Sequence, residues 1–372
     1  MRFLEKLNRF LQVNGNCSTK NSLEIIDEVG RKRQPKTHWE YAIAQYECQL
    51  ATYNIRNRLL VIFPFLLLLV ILFNFLLLFV ALANSIKKRP LQLEGVAALL
   101  PDQKLVPDSI SGDIIFLGKS GHDAFFTLED WRYSLLLTSR FLLHPYFVSK
   151  SLYAIYQHSG LSKKYSRILV SNEYSFCSSV ITHYINRAGG ISMNCMHGEK
   201  LLNARDAFCR YDIFFVWDEH YLDIFERMNA EAFFVVSHCP ALRIERVTQE
   251  YEAISYFLQG GESINQIRYI LEKLEALSAK YGCEKIWFKP HPRYRTKNLE
   301  EAVGEDRIYR GCNSWLISNS RIVCGRYSTI LFQVFVSRGT MKTPLIYVDD
   351  KFWEVSSEFI MLSKSDGVFG NI

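Results

Sequence analysis

Two kinds of apolar segment alternate with polar sequence along the chain. The first is a single uninterrupted run, residues 59–83, in which Asn74 is the only polar side chain. A helix of that length exceeds a hydrocarbon core of about 30 Å, so the run predicts a transmembrane or membrane-embedded helix over 59–84. From Gly112 onward, short apolar runs alternate with longer amphipathic stretches. This second pattern is typical of parallel β-sheets with helices on both faces.

The α/β pattern forms two series. The strands predicted for the first series cover 113–117, 167–171, 191–196, 211–217 and 232–236, with a long helix inside 127–158. Those of the second cover 253–258, 285–288, 321–324 and 344–348, with helices from Ile264 and over 328–337. No strong periodicity runs through 240–249, which is where we place the domain boundary. The predicted parts are a basic N-terminal segment (1–58), the membrane helix (59–84) and two Rossmann-like domains (85–245 and 246–372).

Composition narrows the function classes. The chain has 372 residues, of which 49% are hydrophobic and 14% aromatic, so it is not a disordered protein. Its net charge of +6 is small for this length, which argues against nucleic acid as a partner and leaves an anionic membrane surface or substrate. The nine cysteines form no CxxC pair and no metal-binding spacing, a usage typical of a reducing compartment.

Basic residues flank the apolar run on both sides. Arg56 and Arg58 precede it, and Lys87 and Lys88 follow it, so the charge rule gives no decisive orientation. We expect a single span with the later domains in the cytoplasm, and a bent re-entrant insertion is the alternative. In either case Asn74 is expected to be a tolerated amide, and segment 1–58 is expected to be coil or short helix resting on anionic lipid.

The strand predicted at 285–288 runs into three cationic or titratable residues, Lys289, His291 and Arg293. Two intervening prolines keep the exit extended and exclude a helix or a continued strand. Ligands of open α/β sheets bind beyond the carboxyl ends of the strands, so this cluster suits an anionic group such as a nucleotide phosphate. The alternative is a solvated basic tip after a proline turn.

Other predicted strands also end in residues that suit chemistry. In the first series, Glu173 lies in a polar patch that follows one strand, and His197-Gly198 ends the next. We assign these residues to the acceptor or the cleft, with a helix N-cap as the alternative for the patch at 171–175. In the second, Glu262 follows a Gly-Gly turn and could act as a base or merely complement a helix dipole. A last strand ends near Gly325, and a helix then starts with two hydroxyls. We interpret Gly325, Ser328 and Thr329 as a phosphate cradle, with a helix cap as the alternative.

The Lys-Pro-His-Pro-Arg motif at 289–293, followed by Tyr-Ser-Thr at 327–329 and preceded by a His-Gly strand tip, resembles bacterial surface-polysaccharide glycosyltransferases of the GT-B type. The chain looks most like the lipooligosaccharide sialyltransferases and polysialyltransferases, over about residues 110–350. The resemblance implies that His291 contacts the phosphate of a CMP-activated donor and assists its departure. It also implies a base upstream, for which Glu262 is the nearest candidate. The sequence departs from the family there, because Gly-Gly-Glu-Ser replaces an acidic pair followed by glycine.

The sequence therefore predicts a membrane-anchored, metal-independent GT-B glycosyltransferase without a cofactor beyond its nucleotide-sugar donor. The second domain would bind the donor, with sialic acid or a related nonulosonate as the best guess. The first would bind a glycan or glycolipid acceptor at the bacterial inner membrane, across a cleft. Alternatives are a UDP-sugar glycosyltransferase, a CDP-glycerol-type polyol-phosphate transferase, a UDP-sugar isomerase, or a non-catalytic scaffold of a polysaccharide assembly complex.

Overall fold

The computed structural model describes residues 19–88, 90–117, 124–198, 200–244, 253–260, 262–291, 297–325, 329–337, 345–348 and 368–369. The chain forms two compact units. One consists of Met1–His197 with Leu202–Cys239, and the other of Gly198–Leu201 with Pro240–Ile372.

The first unit is built on a six-stranded sheet in the order β2-β1-β3-β4-β5-β6, with every described pairing parallel. Its strands are β1 (Leu93–Leu99), β2 (Ile114–Phe116), β3 (Tyr165–Val170), β4 (Ile191–Cys195), β5 (Arg210–Val216) and β6 (Glu231–Val236). Its helices are α1 (Thr19–Arg33), α2 (His38–Tyr53), α3 (Arg56–Val61), α4 (Phe63–Ser85), α5 (Leu128–Arg140), α6 (Pro145–His158), α7 (Leu161–Lys164), α8 (Ser178–Arg187) and α9 (His220–Arg227).

The second unit contains a five-stranded parallel sheet in the order β11-β10-β9-β7-β8. Its strands are β7 (Ala253–Phe257), β8 (Lys285–Lys289), β9 (Ser320–Gly325), β10 (Leu345–Val348) and β11 (Val368–Phe369). Its helices are α10 (Ile264–Tyr281), α11 (Lys297–Val303), α12 (Asn313–Ser318) and α13 (Thr329–Val336). The α/β class predicted from the alternating pattern, with two parallel sheets, is confirmed.

Local sequence explains the limits of α10, the long helix of the second unit. Ser263 caps its first turn by accepting from the Gln266 backbone N–H at 3.3 Å, and the Gln266 side chain accepts from the Ser263 N–H at 2.9 Å. Gly282 ends the helix in the left-handed region at φ +64°, which costs glycine little. Between these caps, Ile267, Ile270 and Leu274 are buried against β7, β8 and β9.

The structure differs from the expected elements in three places. Strand β1 was missed, because its Gly95, Ala97 and Ala98 give weak strand propensity, although the alanines are fully buried. The long helix expected inside 127–158 is two helices, since α5 ends at Arg140 and Pro145 opens α6. The segment expected to be coil or short helix on lipid contains two helices of fifteen and sixteen residues, and α2 buries most of its length in the first unit.

Candidate functional site

Glu173 and His197 follow neighbouring strands, and the strand register brings them together. Strand β3 pairs with β4 so that Val170 is opposite Asn194. Glu173 lies three positions after Val170, and His197 lies three positions after Asn194. The rise per residue is the same in both parallel strands. Residues that lie equally far beyond a paired position are therefore at the same level of the sheet edge. The two side chains therefore meet at the carboxyl edge.

The contact between them is an ion-pair contact with one buried and one accessible partner. His197 Nδ1 lies 3.1 Å from Glu173 Oε1, and the side chains are 30% and 0% exposed, respectively. The two atoms are close enough for an ion pair but lack hydrogen-bond geometry. The Tyr174 ring lies edge-on to the imidazole, with the ring centroids 5.6 Å apart.

Polar side chains from two elements position the buried carboxylate. Asn194 Nδ2 donates to Glu173 Oε2 at 3.3 Å, and Asn194 Oδ1 accepts from the Asn172 N–H at 2.8 Å. Gln45, on α2, donates from Nε2 to the Glu173 carbonyl at 2.7 Å. A carboxylate inside a protein is costly unless it is paired and hydrogen-bonded, so these contacts fit a group that is kept for its charge.

This arrangement can perform general base chemistry. A carboxylate beside one ring nitrogen stabilises the positive charge that develops when the other nitrogen accepts a proton. With Nδ1 facing Glu173, the free base position is His197 Nε2. A hydroxyl-bearing ligand at this edge could donate its proton there, and Glu173 would stabilise the resulting imidazolium.

The second sheet brings three strand ends to one level. Phe257 of β7 pairs with Lys289 on one side and with Gly325 on the other. The order of β8, β7 and β9 places β7 between the two strands that follow it in sequence. That order creates a topological switch point between β7 and β9, the place where open α/β sheets bind nucleotides.

The side chain of Glu262, the candidate base, is hydrogen-bonded to the backbone of its own loop. One carboxylate oxygen accepts from the Gln259 N–H and the other from the Gly260 N–H, both at 2.9 Å, and the residue is 7% exposed. Asn298 Nδ2 also donates to the Glu262 carbonyl at 3.4 Å. These contacts give Glu262 a structural task in shaping the turn after β7.

Lys289 is also engaged within the second unit. Its ammonium donates to the Gly311 carbonyl at 2.5 Å and lies 5.4 Å from the centre of the Tyr309 ring. Burial lowers its pKa from the ordinary lysine value, and the nearby Cys312 partly opposes that shift. The amine has three donors, so it can bind an anion without leaving Gly311.

The remaining predicted residues are placed as follows. His291 is half-buried and follows Pro290 beyond β8, and Thr329 opens α13. A Cβ on Gly325 would meet the Phe257 carbonyl oxygen at 3.2 Å, so close approach of β7 already accounts for this glycine. Gly198 belongs to the second unit, where its Cβ position lies 3.9 Å from Thr329 Oγ1. Arg293 and Ser328 lie outside the described residues.

Neither a metal cluster nor a large cavity in the described residues identifies a different site. Within the part of the chain that the structure describes, no group of three or more His, Cys, Asp or Glu side chains could hold a metal ion. A cavity of about 800 Å³ is lined by Cys283, Glu284 and Lys285 among others. These residues lie at the amino end of β8, and ligands of parallel sheets bind at the other end.

Comparison with known proteins adds little to the site. No family model and no curated protein matches the chain. Among solved structures, it is similar to a mutant of S. aureus TarM in complex with fondaparinux, alpha-GlcNAc-glycerol and UDP, at 12% identity and a TM-score of 0.35, over 55% of this chain and 45% of that one. A second TarM structure matches at 12% identity and a TM-score of 0.34, over 55% and 44%. The chain thus spans less than half the length of these proteins, and a likeness of this extent decides neither fold nor function.

Sequence reasoning found the members of the first-sheet pair but missed their relation. Glu173 and His197 were assigned separately to an acceptor cleft. Asn194, which donates to the Glu173 carboxylate, and Gln45, which donates to the Glu173 backbone carbonyl, were not singled out. The signal that could have found the pair is the equal offset of the two residues from neighbouring predicted strands. Gln45 has no such signal, because its contact joins residues 128 positions apart.

Proposed function

We propose that the chain is a metal-independent glycosyltransferase of the GT-B type. In this proposal the first unit binds and activates an acceptor hydroxyl, and the second binds a nucleotide-sugar donor. The observation that carries it is the half-buried His197 held at 3.1 Å from the fully buried Glu173 at the carboxyl edge of a parallel sheet. A carboxylate buried beside an accessible imidazole is the arrangement that general bases use in hydrolases and transferases.

In the first unit, His197 Nε2 accepts the proton of the acceptor hydroxyl while the oxygen attacks the anomeric carbon of the donor sugar. Glu173 stabilises the positive charge that forms on the ring. The bond from the anomeric carbon to the phosphate oxygen breaks, and its electron pair leaves with the nucleotide. The proton stays on His197 until it is released to solvent.

In the second unit, His291 and Thr329 bind the departing phosphate, and the charge of Lys289 offsets the negative charge on it. Donors aimed at the place where charge develops stabilise the transition state. The first turn of α13 adds backbone N–H groups and the positive end of the helix dipole, both of which favour an anion. The donor half of the proposal is supported by the topological switch point between β7 and β9 and by the cationic and hydroxyl side chains that follow these strands.

The donor class comes from the motif order at 289–293 and 327–329. A CMP-activated nonulosonate is the best match, and a UDP-sugar or a CDP-glycerol donor is the alternative. The acceptor is proposed to be a surface glycan or glycolipid assembled at the cytoplasmic face of a bacterial inner membrane.

Calorimetric titration of the full chain with CMP, CDP, UDP and GDP tests the donor half of the proposal. One nucleotide is expected to bind more tightly than the others, and His291→Ala should weaken its binding. His158→Ala is the matched control, because His158 bonds the Ala154 carbonyl within α6. Binding of none of the four nucleotides to the folded chain would refute the proposed function.

A further inference from the structure

Helix α4 has one face buried in the first unit and one exposed apolar face. Leu66, Val70, Asn74, Leu77, Ala81 and Asn84 form the buried stripe. Large side chains cover the opposite face, with Leu72 59% and Phe79 66% exposed. It is the one helix in the described residues that is long and apolar enough to cross a membrane, and 28% of its most apolar window is buried.

Hydrogen bonds fix α4 to the first unit at its middle and at its end. Asn74 Nδ2 donates to Thr138 Oγ1 at 3.1 Å, and Trp131 Nε1 donates to the Asn74 carbonyl at 3.2 Å. Near the end of the helix, Asn84 Nδ2 donates to the Phe126 carbonyl at 3.1 Å. The contact partners Trp131 and Thr138 both belong to α5, so α5 lies beside the midpoint of α4.

The position of α5 beside the midpoint of α4 is incompatible with a straight transmembrane span by α4. If α4 crossed a bilayer, its midpoint would lie at the centre of the hydrocarbon, and α5 would lie at the same depth. Helix α5 carries exposed Glu129, Arg132 and Arg140, and charged side chains at the bilayer centre are strongly disfavoured. The docked position of α4 therefore requires another explanation for its exposed apolar face.

We propose that α4 lies in the plane of a membrane, with its inner face on the first unit and its outer face in the lipid. A free helix at a membrane surface needs a polar face toward water. Helix α4 needs none, because its second face meets protein. This explains how an uninterrupted apolar run can belong to a chain that does not cross the bilayer.

Charge and neighbouring surface identify the occupant as anionic lipid. Arg56 and Arg58 before the helix, and Lys87 and Lys88 after it, are exposed, so both ends offer cations to lipid headgroups. The apolar surface continues from α4 into α3, where Val61 is 82% exposed. A second copy of the chain docked along α4 would bring the same basic residues together, and like charges at an interface are unfavourable.

Binding to vesicles tests this surface without requiring any transfer activity, so its outcome is independent of the proposed function. Purified full chain should co-sediment with vesicles containing phosphatidylglycerol and more weakly with neutral phosphatidylcholine vesicles. Leu72→Glu combined with Phe79→Glu should weaken binding at least about tenfold, since two large apolar side chains lose their burial in lipid. Phe233→Ser, which removes an exposed aromatic of β6, is the control and should bind normally.

A charge variant covers the case in which the first variant fails to fold. Lys87→Glu with Lys88→Glu changes exposed side chains, and it should weaken binding to the anionic vesicles only. Unchanged binding of both variants would overturn the proposal. Self-association of the chain through α4, measured by light scattering and abolished by the Leu72 and Phe79 changes, would also overturn it.

Labelling in cells separates the in-plane helix from a span. In a chain without native cysteines, Asn57→Cys and Ser85→Cys place thiols at exposed polar positions near the two ends of α4. A membrane-impermeant maleimide should label both thiols or neither before the cells are permeabilised, because an in-plane helix keeps its ends on one side. Labelling of one thiol alone would show a span and overturn the proposal.

Discussion

The carboxyl edges of the two sheets use similar residues in different ways. At the first sheet, Glu173 and His197 come from successive strands and meet each other at 3.1 Å. At the second, Glu262 binds the backbone of its own loop and Lys289 binds the Gly311 carbonyl. The first edge therefore holds an imidazole beside a buried carboxylate, the pair that we propose as the base and its partner, while the second holds groups that shape loops around the switch point.

This difference reverses the ranking that motif strength suggests. The Lys-Pro-His-Pro-Arg motif is the more specific pattern in sequence, and a His-Gly dipeptide is weak. In three dimensions the weaker motif forms the better organised group, because a register between strands can align residues that no local pattern connects. The significance of a dipeptide at a strand end therefore depends on which residue the adjacent strand places beside it.

The largest expected effect is on His197. His197→Gln should lower turnover by about 10² to 10⁴-fold, the usual loss when a general base is removed. The dissociation constant of the nucleotide should stay unchanged, because the donor is assigned to the second unit. Steady-state kinetics combined with calorimetry measures both. A folded variant with normal turnover would end the assignment of His197 as the base.

Removing the Thr329 hydroxyl, beyond the carboxyl edge of the second sheet, should lower nucleotide affinity rather than turnover. Thr329→Val should weaken nucleotide affinity by about 1.5 to 3 kcal/mol, the range for a hydrogen bond to a charged group. Ser263→Ala is the control in the same unit, since Ser263 caps α10 and should affect stability only. If both variants bind nucleotide as the unchanged chain does, Thr329 is only the first residue of a helix.

Glu262→Gln separates the two possible tasks of that carboxylate. The amide keeps one acceptor oxygen and loses the other, so one loop N–H loses its partner. We expect the free energy of unfolding to fall by about 1 to 3 kcal/mol, measured by urea denaturation, with turnover per folded molecule retained. A loss of turnover by orders of magnitude at normal stability would instead return Glu262 to the role of base.

The smallest expected effect distinguishes the two units by their response to acid. Burial lowers the pKa of His38 from 6.5 to about 4, with the charges of Arg210 and His183 adding to the shift. Burial also lowers the pKa values of His144 and His183. The unfolded chain then binds more protons than the folded one between pH 6.5 and about 4, so stability is full above pH 6.5 and falls as the pH drops through this window.

Hydrogen exchange should therefore show the first unit loosening before the second as the pH is lowered from 7 to 4.5. His38→Gln should flatten the pH dependence, since it removes from the titration the histidine whose pKa burial lowers to about 4. Simultaneous loosening of both units in the unchanged chain would contradict this expectation.

Sequence predicted the parts of this protein that depend on local pattern. Buried runs such as 253–258 read directly as strands, and Ser263 and Gly282 signal the ends of α10. It could not register contacts between distant residues. The run 59–83 predicts a span from hydropathy, which does not record that Thr138 lies beside Asn74, the contact on which the in-plane proposal rests. Gln45 lies in a segment without readable chemistry, although it positions the backbone at Glu173.

The central claim is tested most directly by measuring nucleotide release together with glycosylation of the acceptor. The full chain is incubated with the activated sugar whose nucleotide binds best, in the presence and absence of glycan acceptor and with a chelator throughout. The account predicts release that depends on acceptor, equals the amount of glycosylated product and persists in the chelator. Nucleotide binding without any release would contradict it and would identify a scaffold that has kept the site without turnover.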